Sequence, residues 1–156
     1  MNNNKIKAHL LNLLLVSVSI TVSAQVSNEG VLHINSGTDV GVFFDVANSS
    51  TGTITNDGNL HLHKSLTNNG LVNFTDGLTT GVTLFKGDEN QNIDGSGTTW
   101  FYNLVIINPS NDASIQLEKE IHIYGTADLT DGVLQELSNG LTVFENNTNH
   151  LNTSDK

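Results

Sequence analysis

The chain has 156 residues, with 16 Asp and Glu against six lysines, no arginine and no cysteine, for a formal net charge of −10. A nucleic-acid binder needs a basic surface to displace counterions, so this balance argues against that class. The missing thiols exclude a disulfide framework, thiolate metal sites and cysteine nucleophiles.

The first 24 residues read as an export signal. Lys5 and Lys7 form a basic start, residues 10–18 are apolar except for Asn12 and Ser17, and Val22-Ser23-Ala24 supplies small residues before Gln25. The apolar run is shorter than the roughly 20 residues that span a bilayer, so we expect cleavage and no stable membrane span afterwards. The remainder, 25–156, is the size of one domain. It keeps Lys64, Lys86, Lys119 and Lys156 against 16 carboxylates, a net charge of −12.

A short phrase then recurs: a polar residue, Gly, and alternating apolar residues. It reads NEGVLHI at 28–34, NDGNLHLH at 56–63, NNGLVNF at 68–74, DGVLQEL at 131–137 and NGLTVF at 139–144. Each copy suggests a tight turn, with Gly at φ > 0, feeding a strand of period two. In chain order the expected strands are 31–35, 40–46 (VGVFFDV), 53–55, the two phrases at 56–74, 81–86, 99–108 (TWFYNLVIIN), 114–117, 120–124 and the last two phrases. Residues 25–30 read as a polar lead and 87–98 as a polar interval, while Pro109 demands a loop. Five-residue strands cannot bury an apolar face alone, and stacking coil on coil solves that problem. The expected fold is an all-β, irregular parallel β-solenoid over 25–144, with an antiparallel β-sandwich as the alternative and 145–156 as a frayed or truncated polar tail.

Residues 84–107 carry a further pattern: Phe85 and Gly87, then Gln91, Ile93 and Gly95, then Phe101, Asn103, Leu104 and Ile106. With the Gly-led phrases around it, this resembles the exported, adhesin-like β-repeat proteins of Bacteroidetes, many of them substrates of type IX secretion. The resemblance implies a cell-surface or secreted location and a structural or adhesive role. Its members usually carry a C-terminal sorting domain; none is read before Lys156, so a fragment of a longer product and a minimal version are both expectations.

Four groups of residues carry candidate chemistry. Oxygen ligands cluster in the polar interval, making Asp88, Asn90 and Asp94 candidate calcium ligands, although Ile93 stands where an EF-hand has its turn glycine. His33, His61, His63 and His122 alternate with apolar residues and should face outward, His61 and His63 within reach of one transition metal. Trp100 and Tyr102 share strand parity and, if exposed, offer a stacking platform for an extracellular glycan or surface protein. Leu104 and Ile106 continue that parity, which argues for core unless the register shifts near Asn103. No nucleophile elbow and no HExxH occurs, and no motif sets two carboxylates opposite each other, so no catalytic residue is assigned. The expected function is a non-catalytic, exported structural or adhesive module. The alternatives are a carbohydrate-binding module or glycan-degrading accessory, and an inert stalk.

Overall fold

The computed structural model describes residues 24–110, 114–146 and 151–153. The export signal expected over 1–24 lies outside them except for Ala24. Among the described residues, eighteen short strands form six coils of three. The first coil holds β1 (Gln25–Asn28), β2 (Val31–Ile34) and β3 (Asp39–Val42), and the second β4 (Asp45–Asn48), β5 (Thr53–Asn56) and β6 (Asn59–Leu62). The third holds β7 (Leu66–Asn68), β8 (Leu71–Asn73) and β9 (Val82–Phe85), and the fourth β10 (Gln91–Asp94), β11 (Thr98–Phe101) and β12 (Asn103–Ile107). The fifth holds β13 (Ile115–Leu117), β14 (Glu120–Ile123) and β15 (Ala127–Asp131), and the sixth β16 (Leu134–Glu136), β17 (Leu141–Phe144) and β18 (Leu151–Thr153).

Every third strand stacks on its counterpart, giving three six-stranded sheets. The pairings are parallel, so the protein is a β-solenoid with three faces and not a sandwich. Among the described residues no helix is long and apolar enough to cross a membrane.

Several expected elements change, and the longest runs break because a three-sided coil must turn a corner after a few residues. The run 40–46 breaks at Phe43-Phe44 into β3 and β4, and 99–108 breaks at Tyr102 into β11 and β12. The polar lead contains β1, and the polar interval contains β10, whose Gln91 and Ile93 point inward. β15 was not expected at all, because ADLTD carries one large apolar residue. The expected tail also contains a strand, since β18 pairs in parallel with β15 from Ala127↔Leu151 to Leu129↔Thr153. A neighbouring backbone edge is enough to extend a ladder into a polar sequence.

Alternation fills the interior. The column Val46, Leu66, Ile93 and Leu117 runs up the first sheet, while Phe85 and Phe101 meet edge to face at 6.4 Å inside the prism. All six of these residues are at least 95% buried, which removes about 2 kcal/mol of apolar surface apiece from water.

The corner between the first and second faces is polar and tightly stacked. Asn28 lies over Asn48, and Asn48 over Asn68. Each amide donates to the next: Asn28 Nδ2 to Asn48 Oδ1 at 2.8 Å, Asn48 Nδ2 to Asn68 Oδ1 at 2.8 Å, and Asn68 Nδ2 to the Thr99 hydroxyl at 2.8 Å. The same amides also bond corner carbonyls, so backbone that the turn exposes to the interior is satisfied. The ladder ends at Lys119 of the fifth coil, whose ammonium donates to the Gly97 and Asn68 carbonyls. Burial pushes the Lys119 pKa down, against the raising pull of Asp94.

Beside the ladder, Gly52, Gly70 and Gly97 press against the coil before them. A Cβ at Gly70 would strike the carbonyls of Gly52 and Ser49, and one at Gly97 the carbonyl of Gly70. The expectation that the phrase glycines supply φ > 0 is therefore corrected. Positive φ occurs at Gly37, Gly77 and Gly95, none of which leads a phrase. The phrase glycines at 58, 70, 132 and 140 are small because another coil lies against them. Gly30, on the first coil, has nothing within 4 Å of its would-be Cβ.

Two stability measurements check this account. By urea unfolding, Gly97→Ala should cost more than about 2 kcal/mol while Gly30→Ala stays within about 0.5 kcal/mol. Asn48→Leu should cost about 3 kcal/mol or more, because it strands the Gly52 and Leu71 carbonyls together with both neighbouring amides.

Candidate functional site

The outer side of the second sheet carries the most developed surface feature. Outward positions there stack as His33 over Thr55 and Thr55 over Asn73, and further along Trp100 lies over His122. Between them runs a groove of about 550 Å³ lined by Thr55, Asn73, Phe74, Thr75, Asp76, Trp100 and Tyr124. Thr55 comes from the second coil, residues 73–76 from the third, Trp100 from the fourth and Tyr124 from the fifth.

Trp100 faces outward at 36% exposure, whereas Phe101, Leu104 and Ile106 are buried. The parity argument that tied Trp100 to Leu104 and Ile106 fails because the chain turns at Tyr102, which resets the alternation between β11 and β12. Trp100 and Tyr102 do not form one platform. Tyr102 is half-buried and packs edge to face on Phe74 at 5.2 Å, and Phe74 packs in the same way on Tyr124 at 5.0 Å. Trp100 meets Tyr124 at 6.1 Å and the His122 ring at 5.9 Å, both steeply inclined. Such edge-to-face contacts hold the indole beyond what its buried area alone supplies.

The polar side of the groove is set by Asp57, 2% exposed beneath it. Its Oδ1 accepts the Thr75 amide at 2.7 Å, and its Oδ2 accepts the Thr75 hydroxyl at 2.6 Å and meets His33 Nε2 at 2.8 Å. Burial works against the Asp57 charge, but the bonds from Thr75 and His33 outweigh it and hold its pKa below the ordinary carboxylate value. Thr75 is thereby pinned, and with it the start of the 74–81 connection that forms one wall. The Thr55 hydroxyl donates to Asn73 Oδ1 at 2.9 Å, which turns the Asn73 Nδ2 donor away from Thr55.

The other candidate residues are spread apart. Asn90 immediately precedes β10 and Asp94 ends it, about 13 Å apart along an extended chain, and Asn90 accepts the Ser110 hydroxyl at 3.0 Å. Asp94 accepts the Gly95 amide at 2.5 Å, and Asp88 lies beyond the Asn90 end, so the three do not converge on one ion. The histidines lie on outer faces as expected. His61 meets Asp39 at 3.3 Å, His63 stacks on Phe43 at 4.2 Å, and His122 bridges Glu120 at 2.9 Å and Glu145 at 2.5 Å. Among the described residues no group of three or more His, Asp or Glu side chains is arranged to hold a metal ion.

Phe74, Tyr124, Asn73 and Asp76 went unrecognised in the sequence. Their signal is the stacking register: Phe101 pairs with Ile123, so the residues that follow, Tyr102 and Tyr124, are neighbours across coils. Comparison of the chain with protein-family models, curated proteins and solved structures returns no match.

Because the Asp57 pKa is lower folded than unfolded, its stabilising contribution is complete above about pH 4 and disappears as pH falls through the folded value. Thermal melts from pH 7 to 2 should show this acid loss. Asp57→Asn should cost about 1–3 kcal/mol at pH 7 and flatten the decline below pH 4.

Proposed function

We propose that the protein is an exported, non-catalytic adhesive module that engages its target through the groove at Trp100. The observation that carries this reading is the exposed indole on the outer face, braced by other rings beside unspent polar groups. Large apolar side chains in convergent, partly polar grooves are the usual anchors of binding sites. An inert stalk needs a stiff body but no such anchor. Catalysis is disfavoured by the one deeply set carboxylate near the groove, since both Asp57 oxygens are committed to Thr75 and His33.

The place of action follows from the sequence. The expected export signal and the resemblance to secreted Bacteroidetes repeat proteins support a location at a cell surface or outside it. A net charge of −12 after signal removal keeps such a chain soluble and away from anionic lipid. Single-site affinity would be modest, and display in many copies would raise it.

Beads coated with the mature protein should adhere to bacterial or host cell surfaces, and Trp100→Ala should reduce adhesion at least fivefold with unchanged far-ultraviolet circular dichroism, while the loss of its ring contacts lowers the melting temperature by several degrees. Uncoated-level adhesion by the unaltered protein would leave the stalk reading in its place.

A further inference from the structure

We infer that the groove binds an uncharged glycan, one pyranose ring stacking on Trp100 while its hydroxyls bridge Asn73 and Asp76. This rests on the adhesive reading and names the ligand class for the same site.

The argument runs from the functional groups that face the groove. Trp100 presents an exposed indole, an apolar plane of the size of a sugar ring's C–H face. Asn73 has Oδ1 occupied by the Thr55 hydroxyl, so its Nδ2 is the donor it offers. Asp76, three residues along the same segment, is exposed among the lining residues and supplies acceptors. A donor amide and an acceptor carboxylate in one groove with an aromatic plane match a ring whose adjacent hydroxyls both accept and donate. The volume, about 550 Å³, falls within the range of small-ligand sites.

Charge then narrows the class. No lysine lines the groove: Lys64 pairs with Glu89 at 2.8 Å, and Lys119 is buried at the far corner. The charged groups around it are Asp57, Asp76, Glu120 and Glu145, set against His33 and His122. Uronic or sialic acids would meet this field without a cationic partner. An ammonium group would welcome the charge, but it needs ring faces around an open centre. Phe74, Tyr102 and Tyr124 are instead turned edge to face upon one another, and a donor amide stands beside the one open indole.

Trp100 is the single tryptophan in the chain, so its fluorescence reports the groove directly. The mature protein is titrated with neutral β-glucan, xylan, mannan and galactan oligosaccharides, with oligogalacturonate, and with choline. At least one neutral oligosaccharide should shift or quench the emission saturably. Asn73→Ala and Asp76→Ala should each weaken that binding about tenfold with unchanged far-ultraviolet circular dichroism. A response confined to choline or to oligogalacturonate overturns the inference, as does silence across the neutral panel. Silence combined with Trp100-dependent adhesion to cells overturns only the sugar and leaves the adhesive reading standing. Neutral-sugar binding without adhesion does the reverse.

Discussion

The close approach of successive coils at the corner between the first and second faces is the constraint on which the molecule depends. Backbone there turns inward with carbonyls that water cannot reach, and the asparagine amides of three coils satisfy them while bonding one another. Stacked amide ladders of this kind recur wherever identical strands pile in register. The ladder requires the neighbouring coil to lie almost against it, which only glycine permits at 52, 70 and 97. When the ladder stops at the third coil, the structure closes it with the buried ammonium of Lys119. Polar satisfaction and steric smallness are thus two halves of one device.

Much of the fold was legible because its period-two alternation is strong. Strands such as VLHI, NLHL and EIHI are visible in the sequence, and stacking coil on coil covers so many short apolar faces, although the same pattern also fits an antiparallel sandwich. The corners were not legible. Phe43-Phe44 and Tyr102 are aromatic residues in apolar runs, so local pattern reads straight through them. Nor does a sequence distinguish a glycine kept for φ > 0 from one kept for lack of room. At Gly97 the deciding atom is the carbonyl of Gly70, 27 positions earlier.

The groove suffered from the same blindness. Trp100 was visible as an unusual residue, but its direction depended on an unseen corner. Its companions Phe74 and Tyr124 lie 26 and 24 residues away, beyond any local window. Coil lengths that vary with each turn hide that register, since no fixed period brings the three aromatics into line.

The groove draws its lining from four consecutive coils, the second through the fifth. A solenoid coil leans mainly on its immediate neighbours, with a few contacts such as Lys119 to Asn68 and Phe74 to Tyr124 reaching two coils away, so its stability is largely a sum of local terms and the stack can fray in segments. A ligand seated along this groove spans those segments as a splint spans a row of short bones. Occupancy would merge several independent breathing units into one, and the exchange protection of the middle of the rod would rise together instead of coil by coil. Recognition at this site, as proposed, would therefore also stiffen the body that presents it.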